Sequence, residues 1–521
     1  MKYKNLMFLG IILLIISCST VQYTEQAKLT LRDSSKNKKE LKKAAKYFHK
    51  NDQSDKLDAL IFLYENMQNH SFVKVGLFDE SEVEVTWNFS EFKDYDEAKM
   101  AMDSLEDEFG ELHWKKKEKK LDHQTITSEF MIDNIELAFK AWEEKPWSQK
   151  YDYSMFKEYI LPYRGSNEPI ESWRSWRGYF MDSYKDISTQ MFDQTDIIEA
   201  AELINNDLKT WFKFNSKYYL NPTDQGLFEM LMNKEGRCED ITNLTIYALR
   251  ANGIAATSDY TPHWANTGNN HAWNVIIMPD GKAIPFMGAE SNPGKYKLSS
   301  KVAKVYRKVF SVQKDNLIFK LPGDEKAPAW LSGKCYTDVT KEYTKVSDVN
   351  ITINNDIPDS TNYLYLCVFN SGEWKAIHWA KINDNSAHFT DMGVDIAYLP
   401  MFYVEEKLFP ASHPFILTKN GDQKELNGND LFEEEVILHS VTKKSIDRSS
   451  NDGNKTFLEV EEKYKLFYWE KGWELFGTET ANESPMKFKK LPANRLYWLV
   501  KDNSDEEERI FTYQNNKQIW W

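Results

Sequence analysis

Cysteine is scarce in this chain, which contains 4 cysteines among 521 residues. No Cys-x-x-Cys or His-x-x-x-His spacing occurs, so the closely spaced ligands of common zinc sites are missing and no metal is expected. Positively charged residues are also outnumbered, with 66 Lys and Arg against 80 Asp and Glu, and the net charge is −14. This balance argues against nucleic acid as a partner.

The apolar run near the start of the chain, Leu6–Ile16, is too short to span a bilayer comfortably. It follows two lysines, which is the pattern of a secretory signal peptide. The run ends Ile-Ile-Ser-Cys, which resembles a bacterial lipobox with Cys18 as the lipid-carrying residue. In the alternative interpretation the signal is an ordinary cleaved one and Cys18 is incidental.

On the lipobox interpretation, residues 1–17 are a lipoprotein signal peptide and the polar stretch 18–39 is a tether. We therefore expect a protein of the bacterial cell envelope that is attached to a membrane through a lipid anchor. The outer membrane is the favoured location.

The rest of the chain is too long for a single hydrophobic core, and its patterns divide it into four parts. Residues 40–199 carry helix-spaced apolar positions and are predicted to form a helical N-terminal region, beginning with a helical hairpin. Residues 200–315 are the predicted core. Short strand-like runs then predict two β-sandwich modules, at 316–425 and 426–521. The predicted fold class is therefore α+β.

Aromatic residues are abundant, with 17 Trp and 27 Tyr. This composition suits β-domains and also surfaces on which sugars stack. The last residues of the chain include two tryptophans, which we expect to pack because leaving both exposed would be costly.

Cys238 lies at the start of a predicted helix in the core. Apolar or small residues after it recur at helical spacing as far as Ala251, and Asn252-Gly253 is a typical helix end. The unpaired N–H groups of a helix start favour an anion such as a thiolate. Glu239 and Asp240 would oppose this effect if their carboxylates came close.

His271 lies at the start of a predicted strand, which a turn at Pro279–Gly281 connects to a returning strand. The turn length decides which residue His271 faces. A two-residue loop places it opposite Glu290, whereas a three-residue loop places it opposite Ala289. The first register supplies a carboxylate to orient the imidazole, and the second does not.

Each of these residues also has a simpler interpretation. A lone cysteine in an apolar stretch is commonly an inert small hydrophobe, and a lone histidine is commonly a hydrogen-bonded structural residue. However, if Cys335 and Cys367 pair in an oxidising compartment, Cys238 remains as an unpaired thiol, and such a thiol in an exported protein indicates reactivity. His263 is a second candidate base and could in principle join Cys238 and His271 around a metal.

Three motifs in this region, G-x-C-x-D, L-R-A-N-G-I and N-H-A-W-N-V, resemble the transglutaminase-like core of papain-type thiol chemistry. This superfamily includes transglutaminases, peptide:N-glycanases and bacterial proteases. The resemblance implies a core with an antiparallel sheet, Cys238 as nucleophile and His271 as base. It also implies an Asp just after the returning strand, where this chain has Met287. Glu290 could replace that acid, or the site could be inactive.

Four further residues are predicted to bind substrate. Trp264 and Trp273 flank the histidine in sequence and could wall the cleft. Arg164 and Glu168 belong to a polar and aromatic loop at 159–174, which we expect near the cleft because such loops often line binding sites. The alternative for this loop is ordinary packing.

Two functions remain open on these observations. The first is a thiol-dependent amide hydrolase or acyltransferase, without a cofactor, acting on peptides, glycopeptides or N-glycan amides. The second is a catalytically inactive transglutaminase-like scaffold that serves as a surface lipoprotein binding glycans or peptides.

Overall fold

A computed structural model of the chain describes residues 21–171, 175–323, 325–359, 361–428, 432–443, 458–482, 485–502 and 508–521. The predicted signal peptide and Cys18 lie outside these residues. Within them, none of the helices combines the length and the apolar character needed to cross a membrane.

Eleven α-helices lie in the first half of the chain, within the residues that the structure describes. They are α1 Glu25–Asp33, α2 Lys38–Lys50, α3 Ser54–Asn66, α4 Tyr95–Phe109, α5 Asp122–Thr125, α6 Ser128–Glu144, α7 Tyr153–Met155, α8 Trp176–Ser183, α9 Ile197–Trp211, α10 Leu227–Asn233 and α11 Cys238–Ala251. The predicted helical hairpin corresponds to α2 and α3, whose apolar faces enter the core that α6 shares. The prediction of a helical N-terminal region is confirmed.

The first helix corrects the predicted tether. Helix α1 begins at Glu25, and Ala27, Thr30 and Leu31 on one of its faces are buried. Thr30 also donates a hydrogen bond to the Tyr64 carbonyl in α3. Because these contacts bury one side of the segment, the chain is folded from α1 onwards rather than extended to residue 39.

A small antiparallel sheet interrupts the helical region. Its strands are β1 Ser71–Phe78, β2 Glu84–Val85 and β3 His113–Leu121, in the order β2-β1-β3. Most of β3 is charged, and its outward lysines are exposed. The pairing of β1 with β3 supplies the backbone hydrogen bonds that this polar segment needs.

Helix α11 is the centre of the core region. All its residues except Glu239 are buried, although the sequence indicated burial of one face only. The difference arises because α8 and α9 pack on α11 in addition to the strands of the core sheet.

The core sheet is antiparallel, and its strand order is β10-β9-β6-β7-β8. Its strands are β6 Ala256–Thr261, β7 His271–Ile277, β8 Ala283–Phe286, β9 Tyr306–Lys308 and β10 Tyr336–Asp338, while β4 Lys213–Phe214 and β5 Glu235–Gly236 pair separately.

The C-terminal region consists of antiparallel sheets, as predicted. A first group of strands comprises β11 Val346–Thr352, β12 Tyr363–Asn370, β13 Glu373–Asn383, β14 Ser386–Gly393, β15 Ile396–Val404, β16 Lys407–Pro410, β17 Phe415–Leu417 and β18 Gln423–Glu425. A second group comprises β19 Phe432–Leu438, β20 Lys463–Trp469, β21 Trp473–Thr480, β22 Met486–Pro492, β23 Tyr497–Lys501, β24 Ile510–Gln514 and β25 Lys517–Trp520. The end of the chain packs, since the ring centroid of Trp520 lies 5.2 Å from that of Phe511.

The pairing of Cys335 with Cys367, which the sequence left open, does not form. Both thiols are free, Cys367 within the buried strand β12 and Cys335 beside His70. Different elements therefore hold the two sulfur atoms apart.

Candidate active site

The start of α11 is fixed by a carboxylate that reaches back along the chain. Asp240 accepts a hydrogen bond of 3.0 Å from the Arg237 N–H and one of 2.8 Å from the Gln225 N–H. A Cβ atom on Gly236 would lie 2.6 Å from the Asp240 Cβ, so a larger residue cannot occupy that position without movement. These contacts explain the Gly and Asp of the G-x-C-x-D motif and place Cys238 as the first residue of the helix.

Cys238 is nearly enclosed, with 2% of its surface exposed. Its Sγ donates to Glu239 Oε2 at 3.1 Å and lies 3.7 Å from the Tyr219 hydroxyl. Burial and then the Glu239 carboxylate raise the pKa of the Cys238 thiol, so the group is a neutral thiol in this structure.

Glu239 connects the start of α11 to the start of β7. Its Oε2 lies 3.3 Å from Arg237 Nε, and its Oε1 accepts a 3.0 Å hydrogen bond from Asn270 Nδ2. Asn270 immediately precedes His271. The carboxylate therefore positions the two chain segments that carry the thiol and the imidazole, while it opposes ionisation of the thiol.

The His271 ring is half-buried among aromatic rings. Its centroid lies 5.7 Å from that of Trp264, which is stacked on it, 5.8 Å from Trp273 and 6.1 Å from Tyr296. The imidazole has no hydrogen-bond partner among the residues that the structure describes. Burial lowers the pKa of His271, whereas Glu239 raises it, so the ring is neutral at pH 7 and can accept a proton.

The β7–β8 hairpin adopts the second of the two predicted registers, which places no carboxylate opposite His271. Asn274 pairs with Phe286 and Ile277 with Ala283, around a three-residue loop. Strand β8 then ends, and a turn bridges Met287 to Ser291. Glu290 is exposed on this turn and does not face His271. The prediction that Glu290 orients the imidazole is therefore wrong, because the chain leaves the sheet before reaching it.

Met287 is buried at the position that the family resemblance assigns to an acid. The neighbouring backbone is held by Asn274 Oδ1, which accepts from the Gly288 N–H at 3.1 Å, and by Asn205 Oδ1, which accepts from the Ala289 N–H at 2.8 Å. The side chains of Asn274 and Asn205, and the backbone that they hold, therefore occupy the region beyond β8. In the described part of the chain no carboxylate contacts the His271 ring.

The two tryptophans predicted to wall the cleft both contact His271, but they differ in access. Trp264 is slightly exposed, whereas Trp273 has no exposed surface and donates its indole N–H to the Tyr343 hydroxyl at 3.1 Å. Trp273 therefore supports the imidazole from inside the core. The predicted contact of Trp273 with substrate is wrong for this arrangement.

The predicted roles of Arg164 and Glu168 in the cleft are also wrong. Arg164 is buried and makes an ion pair of 2.7 Å with Asp122. Glu168 is completely buried, accepts from the backbone N–H groups of Gly165 and Ser166, and accepts from the Tyr247 hydroxyl. Both residues fix the loop against the middle of α11 rather than at Cys238. Residues 172–174 of this loop lie outside the described part of the chain.

A hairpin of the C-terminal region holds the loop that leads to His271. Asn370, at the end of β12, donates through Nδ2 to the carbonyls of Trp264, Thr267 and Asn269, each at 2.9 Å. The first strand group therefore helps to position the loop between β6 and β7. No spacing in the sequence indicated this contact.

His263, the second candidate base, is separated from the thiol. Its ring packs edge-on against Trp330, with the centroids 6.4 Å apart, and burial lowers its pKa to about 4. Among the described residues no group of three or more His, Cys, Asp or Glu side chains is arranged to hold a metal.

One comparison with known proteins matches the core region. Residues 185–286 match the family model of the transglutaminase-like superfamily. This match confirms the transglutaminase-like core that the motifs around Cys238 and His271 predicted. A search of curated proteins found no significant match.

The chain is also similar to two solved structures. A candidate cysteine protease from Cytophaga hutchinsonii is 17% identical, with 22% of this chain and 38% of that chain covered and a TM-score of 0.18. The transglutaminase of red sea bream is 9% identical, with 87% of this chain and 77% of that chain covered and a TM-score of 0.19. The chain thus spans 38% of the length of the first of these proteins.

Proposed function

Because residues 185–286 form a transglutaminase-like domain whose central helix begins at Cys238, we propose that the protein is a thiol-dependent amide hydrolase or acyltransferase. One observation carries this proposal: the Glu239 carboxylate accepts a hydrogen bond from the Cys238 thiol and another from Asn270, the residue that precedes His271. The candidate nucleophile and the candidate base are therefore on adjoining ends of a helix and a strand.

In the proposed reaction, neutral His271 takes the proton from the Cys238 thiol as the sulfur attacks an amide carbonyl. The C–S bond forms, and the carbonyl electrons move to oxygen, where N–H groups of the helix start stabilise the oxyanion. The protonated imidazole then donates to the amine as the C–N bond breaks. Attack of water on the thioester gives hydrolysis, whereas attack of a second amine gives transfer.

Substrate must displace a side chain before this reaction begins, because only 2% of Cys238 is exposed. Tyr219 is the nearest group that could move. It lies within a short helical segment at 216–220, and 38% of its own surface is exposed. A rotation of the phenol would open the sulfur without rearranging α11.

Peptides, glycopeptides and N-glycan amides are the proposed substrates. An aromatic groove supports this class, since it contains Trp330, Trp374, Trp469 and Trp473 between the core and the strand groups. His263, from the loop that leads to His271, also lines the groove. Of these rings Trp330 is exposed, whereas Trp374 and Trp469 are buried. An exposed aromatic face suits sugar rings, as well as apolar side chains of a peptide.

Alkylation of the thiol tests the proposal directly. Full-length protein treated with iodoacetamide at neutral pH should be modified at Cys238, as shown by mass spectrometry of its peptide. We expect His271→Ala to slow this modification about tenfold or more, because the base that removes the proton is gone. Cys238→Ala should remove the signal, and modification of Cys335 in each variant provides the internal control.

A rate at Cys238 that His271→Ala leaves unchanged would refute the proposed pair. It would favour the second function, a catalytically inactive scaffold that binds glycans or peptides. Two observations support that alternative: Met287 stands where an acid is expected, and the Cys238 thiol is buried with a raised pKa.

We also propose that the protein is attached to the bacterial envelope, at the outer membrane, through lipid on Cys18. The support is the sequence of the apolar run and its Ile-Ile-Ser-Cys end. In cells, Cys18→Ala should abolish incorporation of labelled palmitate and move the protein from the detergent phase to the aqueous phase in Triton X-114 partitioning. Incorporation that persists in Cys18→Ala would rule out this anchor.

A further inference from the structure

A second cavity lies beyond the opposite end of α11, and its wall is basic. It is about 180 Å³ in volume, and four cationic side chains line it, those of Arg164, Arg250, Lys308 and Lys334. No Asp or Glu is among the described residues that line it. This composition is unusual in a chain that has 80 acidic and 66 basic residues. We call this space the basic cavity.

Arg250 is the most informative residue of the basic cavity, because it is buried without a carboxylate in contact. Only 4% of its surface is exposed. Its Nε donates to the Ala256 carbonyl at 2.9 Å, and its Nη1 donates to the Arg164 carbonyl at 2.6 Å and the Pro162 carbonyl at 3.4 Å. Nη2 has no acceptor within the described ranges. This nitrogen is therefore available to donate to a ligand, and an anion would form a charge-assisted hydrogen bond with it.

The two lysines add charge that the protein does not neutralise. Lys308 Nζ donates to the Ser166 hydroxyl and lies 5.6 Å from the centre of the Tyr260 ring. Lys334 Nζ lies 6.0 Å from the centre of the Phe319 ring. Neither ammonium group forms an ion pair with a carboxylate in the part of the chain that the structure covers.

Nearby carboxylates lie behind the wall and are occupied. Asp122 neutralises Arg164 and accepts from the Tyr163 hydroxyl. Glu168 is held by backbone N–H groups and Tyr247, and Glu158 accepts from the N–H groups of Phe310 and Ser311. Glu168 and Glu158 offset part of the Arg250 charge from behind the wall, so the remaining positive charge of the basic cavity resides mainly on the two lysines.

We infer that the basic cavity binds a small anion, a molecule of metabolite size that carries a carboxylate or a phosphate group. Its volume of about 180 Å³ lies below the range of about 300–1,000 Å³ that is typical of drug-sized ligands, so the space suits a small anion. A guanidinium nitrogen and two ammonium groups are the donors that such anions prefer. The neighbouring rings of Tyr260 and Tyr336 offer an apolar surface for the rest of the ligand.

This site is separate from the thiol. Arg250 lies in the last turn of α11 and Cys238 in its first, which is about 18 Å apart along the axis. Occupancy of the basic cavity therefore does not require amide chemistry at Cys238, and either proposal can fail without the other.

Calorimetric titration of the full-length protein tests the inference. Inorganic phosphate and succinate, added separately at constant ionic strength in chloride, should show saturable binding at one site for at least one of the two. Lys308→Gln and Lys334→Gln should each weaken that binding about tenfold or more, because each removes a charged donor. These side chains are partly or largely exposed, so both variants should fold.

Lys375→Gln is the matched control, since Lys375 is paired with Glu373 away from the basic cavity and its loss should leave binding unchanged. A second readout is alkylation of Cys335, which lines the basic cavity. The bound anion should slow modification of Cys335 and leave that of Cys238 unchanged. Preference for phosphate or for succinate identifies the ligand group. Absence of saturable binding by both, or binding that neither lysine variant weakens, would overturn the inference.

Discussion

Replacing Asp122 by asparagine should destabilise the helical region by about 3–5 kcal/mol, the range for breaking a buried ion pair on one side. Asp122 accepts from Arg164 Nε at 2.9 Å and Arg164 Nη2 at 2.7 Å, and both side chains are almost fully buried. In Asp122→Asn the guanidinium keeps its charge and loses the carboxylate that compensates for its burial. The Arg164 carbonyl also accepts from Arg250, so the effect should extend to the end of α11.

Urea denaturation followed by far-ultraviolet circular dichroism measures this effect, since helices dominate that signal. Glu25→Gln is the matched control: it breaks the exposed pair of Glu25 with Lys28 and should change stability by less than about 1 kcal/mol. The double variant Asp122→Asn/Arg164→Met should recover part of the loss, because it removes the unpaired charge. Equal midpoints for Asp122→Asn and Glu25→Gln would show that the buried pair does not stabilise the fold.

Replacing Glu239 by glutamine should increase alkylation of Cys238 at neutral pH by about tenfold. The Glu239 carboxylate lies 3.1 Å from the sulfur and raises the pKa of the thiol, second only to burial. Removing its charge lowers that pKa, so more thiolate exists at any pH below it and the rate profile moves to lower pH. The gain is reduced because a thiolate of lower pKa is a weaker nucleophile, with a Brønsted slope of about 0.4–0.5.

Glutamine preserves the hydrogen bond from Asn270, so the change tests charge rather than shape. The measurement is the iodoacetamide rate at Cys238 as a function of pH. Glu290→Gln serves as control, since that carboxylate is exposed and does not contact the sulfur. A profile that stays in place or moves to higher pH would contradict the role assigned to Glu239.

Local patterns predicted much of the core because they are set by short-range physics. Helix α11 and strand β7 begin at Cys238 and His271 as expected, since the apolar spacing and the Asn-Gly helix end act over a few residues. The register of the hairpin could not be decided in this way. It depends on the Met278 N–H reaching the Lys282 carbonyl at 2.8 Å, which fixes the three-residue loop.

The surroundings of the thiol could not be predicted, because they come from distant segments. Tyr219 lies in an isolated helical turn and Tyr296 in a loop, so neither belongs to a periodic pattern. The enclosure of Cys238 is therefore a tertiary effect. Glu239 was a partial exception, since its position beside Cys238 already indicated that it would oppose ionisation if it came close.

The small N-terminal sheet and the first helix also depend on distant segments and could not be predicted from local patterns. Strand β3 is rich in lysine and has little strand character of its own, and it forms because it pairs with β1 more than thirty positions earlier. Helix α1 has few apolar residues, so its composition is typical of a linker. Its burial against α3 depends on a neighbour that the local pattern does not reveal.

Asn370 and Arg509 show that the loop between β6 and β7 is held by residues from far along the chain. Arg509 donates to the carbonyls of Ala265 and Phe369, and so joins the last strand group to both the loop and the hairpin that carries Asn370. A fragment cut at the family boundary, residues 185–286, would lack every one of these donors. A domain exchange that uses this enzyme candidate should therefore transfer the strand groups together with the core.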